Sequence, residues 1–208
     1  VHDNPGAWLG SVMAVLARQG RDKLTLVTSP SLGSFGLWVE QLIAESTGKE
    51  GTGIVPIAGE PPAAPDHYGD DRLFVFLRLE GDGNAESDAA VQAIESSGQP
   101  VVRLELRDKH DLGAEFYRWE WATAVAGATL RINPFDQPNV QAAKTMTESV
   151  LGQFESSGRL PEMEVSASLD KLLAESRRGD YLAIMAYVRQ TPEVDRALDA
   201  LRRKVTER

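Results

Sequence analysis

Leu73-Phe-Val-Phe-Leu-Arg-Leu79 is the clearest strand in this chain, a short apolar run of the kind that lies buried inside a sheet. Upstream of it, Gly59-Glu-Pro-Pro-Ala-Ala-Pro-Asp-His-Tyr-Gly69 is too rich in proline for regular structure and reads as a loop. Before that loop stand two further strands, Leu24-Thr-Leu-Val-Thr-Ser29, closed by Pro30, and Ile54-Val-Pro-Ile57. The segment between them, Ser34 to Thr47, is helical in period, with Phe35, Leu37, Trp38, Leu42 and Ile43 as the expected buried residues. At the start of the chain, Asn4-Pro5 reads as an N-cap followed by proline at the first helical position. Trp8, Leu9, Val12 and Leu16 follow at helical spacing, and Gly20 ends that helix.

Downstream, a turn at Gly81 to Asn84 leads into a helix from about Ser87 to Ser97, and strand Val101 to Leu106 comes next. Asp111 is expected to cap a long helix reaching about Thr129, and another runs from about Pro138 to Phe154. Strands alternating with helices across short connections predict a parallel sheet covered on both faces. The pattern changes after Gly158. A linker to Val165, a helix over about Ser166 to Ser176, a strand Tyr181 to Val188 and a helix begun by Thr191-Pro192-Glu193 are expected. That strand and helix are too few to form their own core. They are expected to add to the main sheet or to belong with something outside this chain, which gives domains of residues 1–157 and 158–208.

Hydrophobic residues at 42% and charged residues at 25% are ordinary globular proportions. A net charge of −9 argues against nucleic acid as a partner, and no stretch approaches the roughly 20 apolar residues that span a bilayer. Val1-His2-Asp3-Asn4 lacks the basic and apolar regions of a secretory signal. With no cysteine there is no disulfide and no thiolate, which suits a cytoplasmic protein.

Two helical pairs stand out on geometry. Gln41 and Glu45 lie one turn apart on one helix face, and Gln137 and Lys144, seven apart, return to within about 20° of one stripe. Both pairs sit at helix ends, and Gln137 precedes backbone amides of the kind that attract anions. Spacing alone does not separate either pair from a solvated helix face. Gly48-Lys49 looks superficially like part of a nucleotide-binding loop, but no complete Gly-x4-Gly-Lys-Ser/Thr or Gly-x-Gly-x-x-Gly motif is present.

Glu45-Ser-Thr-Gly48-Lys49 resembles the Glu-Ser-x-Gly-Lys signature of phosphoglucose isomerases. Asn133-Pro-Phe-Asp-Gln137-Pro-Asn-Val-Gln-Ala-Ala-Lys144 resembles the family's second signature, in the family's order and about ninety residues further on. Asn4-Pro-Gly, Gly20-Arg-Asp-Lys-Leu-Thr and Gly113-Ala-Glu-Phe-Tyr-Arg-Trp-Glu are similar to the isomerase half of fused bacterial transaldolase/phosphoglucose isomerases, as is Gly179-Asp-Tyr-Leu-Ala-Ile-Met-Ala-Tyr. The resemblance implies a three-layer SIS (flavodoxin-like) α/β domain, the second of its enzyme, with a mainly parallel sheet of about five strands and helices on both faces. It implies interconversion of glucose 6-phosphate and fructose 6-phosphate through a cis-enediolate, with no metal or redox cofactor.

By the same resemblance Glu45 is the base that moves a proton between sugar carbons, and Lys144 the lysine implicated in ring opening. Gln41, Gln137, Ser46, Gly48 and Lys49 are implied to surround the substrate. A base acting on a carbon acid needs a pKa near the operating pH, and an enediolate needs donors at its oxygens. The family's ring-opening histidine has no counterpart by pattern. His110 reads as a solvated loop residue, and His67 and His2 as incidental. The family's phosphate-cradling Ser/Thr loop and Gly-Gly-Arg element are absent from this sequence. The expected partners are therefore a sugar phosphate, the rest of a parent chain with an upstream SIS domain, and a second copy in a homodimer. A non-catalytic sugar-phosphate-binding SIS module is the alternative.

Overall fold

A computed structural model describes residues 3–136, 138–162, 168–177 and 179–206. The chain forms two compact units, Val1–Phe135 together with Arg189–Arg208, and Asp136–Val188. Its strands are β1 (Lys23–Thr28), β2 (Val55–Ala58), β3 (Arg72–Leu79) and β4 (Val101–Leu106). Its helices are α1 (Pro5–Arg18), α2 (Gly33–Thr47), α3 (Ala85–Ser96), α4 (Leu112–Leu130), α5 (Pro138–Ser157), α6 (Leu169–Glu175) and α7 (Pro192–Thr206).

The first unit is an α/β fold around a wholly parallel sheet, ordered β2-β1-β3-β4. The decisive run behaves as its composition requires. Leu73, Val75, Leu77 and Leu79 of β3 face a large core built with α1, α2 and α4. Phe74 and Phe76 point the other way, to Ile94 and Val91 of α3. A strand with apolar residues on both faces thus sits at the centre of three layers. The edge strand β4 alternates buried Val102, Leu104 and Leu106 with exposed Arg103 and Glu105. This is the flavodoxin-like arrangement.

Three local expectations need correction. Among the described residues the sheet has four strands, not about five, and Tyr181–Val188 is not a strand. A run of β-forming residues becomes a strand only with a ladder partner. Tyr181, Met185 and Tyr187 are exposed there instead. Leu37 is 60% exposed, because α2 buries a single stripe, Phe35, Val39, Ile43 and Thr47, and Leu37 falls on its far side. Asp111 occupies the residue before α4, but its carboxylate accepts from the Arg107 amide and caps no amide of the helix.

The α1 cap holds as read, with Asn4 Oδ1 accepting from the Ala7 amide at 2.9 Å. Gly6 and Gly10 let α1 lie directly on α4. A β-carbon on Gly10 would stand 2.2 Å from the Ala122 carbonyl oxygen, and one on Gly6 2.8 Å from that of Arg118. At the other end of the chain, α7 belongs to the first unit, and Arg202 donates to the Gly59 carbonyl at 3.1 Å. The second unit contains α5 and α6, with Ser168 Oγ accepting from the Lys171 amide to cap α6. Among the described residues no helix is long and apolar enough to cross a membrane.

Candidate functional site

In a parallel α/β unit a helix returns the chain from the carboxyl edge of one strand to the amino edge of the next. Helix α2 leaves β1 after Ser29 and delivers Gly48 to the hairpin that precedes β2. The last turn of α2, which carries Glu45, therefore lies at the amino edge of the sheet. This is the edge opposite the strand-end crevice where ligands of open α/β sheets usually bind.

The turn after α2 is built from the first signature. Thr47 is fully buried; its Oγ1 donates to the Ile43 carbonyl at 2.8 Å and accepts from the Ile54 amide at 2.9 Å. A β-carbon on Gly48 would come within 2.9 Å of the Ala44 carbonyl oxygen. Lys49 and Thr52 exchange backbone hydrogen bonds across Glu50 and Gly51, whose φ values of 54° and 73° suit a type I′ turn. So Thr47, Gly48 and the Lys49 main chain shape the turn. On the outer side, Gln41 is exposed and Glu45 and Ser46 are half-buried. Glu45 has no hydrogen-bond or ion-pair partner among the described residues.

The second signature arrives at the same place. Helix α4 returns from β4 to the amino edge and ends at Arg131, in the left-handed conformation with φ 64°. Pro134 then packs against Gly127, where a β-carbon would meet the proline ring at 2.7 Å. Lys49 is buried, and its Nζ donates to the Asn133 carbonyl at 2.7 Å. A charge-assisted hydrogen bond thereby joins the first motif to the residue that opens the second, 84 positions further on.

Gln137 is outside the described residues, and Lys144 is an exposed residue of α5 in the second unit. His110 has a side chain 99% exposed and paired with Asp108, as a solvated loop residue should. His67 lies in a short helical turn of the loop before β3. Among the described residues no group of three or more His, Asp or Glu side chains is arranged to hold a metal ion.

Sequence reasoning passed over two features. Thr47 could have been found, since it lies four residues after Ile43 on the buried stripe. The other is Glu115 of α4, only 2% exposed and paired with Arg118 at 2.8 Å. Its Oε2 is buried without a hydrogen-bond partner among the described residues, the Trp119 indole lying nearby but outside hydrogen-bonding geometry. Burial pushes this carboxyl above the usual glutamate range, against the opposing pull of Arg118.

The glucose-6-phosphate isomerase of Rubrobacter xylanophilus is 28% identical over 176 residues, covering 66% of this chain and 40% of that protein. The enzyme of the same name from Heliobacterium modesticaldum is 28% identical over 178 residues, covering 67% and 39%. That of Streptococcus pyogenes is 28% identical over 190 residues, covering 74% and 42%. This chain is similar to glucose-6-phosphate isomerases. It spans about two-fifths of the length of these relatives. No family model matches. A hypothetical protein from Thermus thermophilus has the same fold, with a TM-score of 0.57 at 22% identity over 70% of this chain and 49% of that one.

Proposed function

We propose that this chain is the part of a glucose-6-phosphate isomerase that carries the proton-transferring base, and that the base is Glu45. The observation that carries this reading is the Lys49–Asn133 bond. It brings the segment that opens the second signature against the turn that closes the first. The similarity to named isomerases over most of the chain supports the same reading.

In this mechanism Glu45 removes the proton from one of two adjacent carbons of the open-chain sugar and returns it to the other. Its carboxylate is half-buried and unengaged, within reach of a ligand approaching the outer side of the turn. Gln41, one helical turn away, is the neighbouring side chain that can orient a hydroxyl. Ser46 and the Gly48 main chain border the same surface. Gln137 and Lys144 are assigned to the substrate's phosphate side and ring oxygen. An ammonium there stabilises negative charge developing during ring opening.

The chain is one portion of such an enzyme in this reading, with an upstream SIS domain supplying the missing phosphate donors and enediolate cation. The 208-residue chain alone is then inactive. A fused transaldolase is part of the finer resemblance, and the intact mass of the natural gene product decides it.

The test is Glu45→Gln in the full-length gene product, assayed with fructose 6-phosphate. Loss of turnover by several orders of magnitude with binding retained supports the base assignment. Equal sugar-phosphate binding by wild type and variant, with no turnover by either, identifies a binding module instead. Normal turnover by the variant refutes the role of Glu45, and normal turnover by the isolated chain refutes the fragment reading.

A further inference from the structure

Lys49 would ordinarily be counted among the substrate contacts, since a lysine beside a catalytic carboxylate suits a sugar phosphate. Its surroundings argue otherwise. The residue is only 7% exposed, and its ammonium donates to a backbone carbonyl across the turn rather than facing outward. That carbonyl belongs to Asn133, two residues beyond the C-cap of α4. Lys49 itself directly follows the Gly48 that ends α2. The ammonium thus lies where the C-terminal ends of two helices meet, and each presents partial negative charge from its last carbonyls. A buried cation is stabilised there by both helix ends and by its hydrogen bond.

We propose that Lys49 is a positioning residue, a clasp that fixes the Asn133–Phe135 segment against the Glu45 turn and does not touch the substrate. The proposal rests on the isomerase reading for its catalytic consequence and on geometry alone for the clasp. The I′ hairpin at Lys49–Thr52 holds the lysine backbone, so the Nζ–carbonyl bond sets the distance between the two motifs. Losing it frees the Asn133–Phe135 segment to drift, and misplacement of about 1 Å costs on the order of a hundredfold in rate. Substrate affinity is largely spared if the lysine makes no substrate contact.

Two measurements on Lys49→Met and Lys49→Arg test this. In the 208-residue chain, hydrogen exchange over residues 131–135 reports the clasp without any assay of activity. Faster exchange in Lys49→Met with partial recovery in Lys49→Arg is expected, and unchanged exchange overturns the clasp. In the full-length gene product, Lys49→Met should lower kcat by about 10- to 100-fold and leave the KM for fructose 6-phosphate within about threefold. A KM raised tenfold or more with kcat retained makes Lys49 a substrate ligand and overturns the proposal. Unchanged kcat and KM overturn it as well. If the wild-type product turns over no sugar phosphate, the isomerase reading fails, while the exchange result still decides the clasp.

Discussion

The hydroxyl of Thr47 offers the sharpest test of how the first signature is built, because Thr47→Val removes it and changes little else in shape. In the wild type the hydroxyl satisfies the buried Ile54 amide at 2.9 Å and donates to Ile43 at 2.8 Å. The Ile43 carbonyl keeps its helical hydrogen bond in the variant, so losing the second donor costs little. The Ile54 amide is different. Ile54 is 4% exposed, and valine offers its N–H no acceptor. A buried donor left unsatisfied costs about 1–3 kcal/mol. At about 2–4 °C per kcal/mol for a chain of this size, the melting temperature should fall by roughly 2–12 °C. All four tryptophans, Trp8, Trp38, Trp119 and Trp121, lie in the first unit, so their fluorescence during urea unfolding reads that unit. The midpoint should fall with an unchanged slope. The Ile54 amide should lose exchange protection in Thr47→Val but keep it in Thr47→Ser, which retains the hydroxyl. A valine variant within about 0.5 kcal/mol of wild type, with Ile54 still protected, would refute the reasoning.

Gly10→Ala places a β-carbon 2.2 Å from the Ala122 carbonyl oxygen, so α1 must lift from α4. The expected loss is about 1–3 kcal/mol, read from the same fluorescence midpoint. Glu115 gives a pH signature. Its carboxyl is raised in the folded state by burial, so the folded chain holds this proton where the unfolded chain has released it. Stability from this group therefore falls as pH rises from the ordinary glutamate value of 4.5 through the raised folded value. Glu40, also raised by burial and opposed by Arg202, contributes with the same sign. Unfolding midpoints compared across that interval should decline less in Glu115→Gln than in wild type, and equal declines would rule Glu115 out as a source.

The layers of the fold were legible because they follow from apolar patterning. The apolar run Leu73–Leu79 suits a strand with cores on both sides, and Asn4-Pro5 wrote its own helix cap. The failures share a cause. Tyr181–Val188 has strand composition but no ladder partner among the described residues, and pairing is a property of neighbours rather than of a segment. Leu37 is apolar on a helix whose core needed one stripe, so composition overstated its burial. At the site, spacing placed Gln41 and Glu45 on one face. It could not separate the residues that form the turn from those it presents, because Thr47 and Lys49 reveal their roles only through Ile54 and Asn133.

The amino-edge position of the turn bears on how the charge of the proposed substrate would be met. Both α2 and α4 end there, so a phosphate or an enediolate approaching it meets partial charges of its own sign. Ligand anions in α/β folds usually sit at the opposite ends of helices, where free amides point outward. The cation built into this turn, Lys49, is turned inward to a carbonyl. A proton-transfer role for Glu45 therefore requires positive charge from beyond the turn. An arginine or a set of amides from another domain is the contribution that the fragment reading expects. On the proposed reading the turn therefore supplies the carboxylate, and the groups that hold the anion come from outside it.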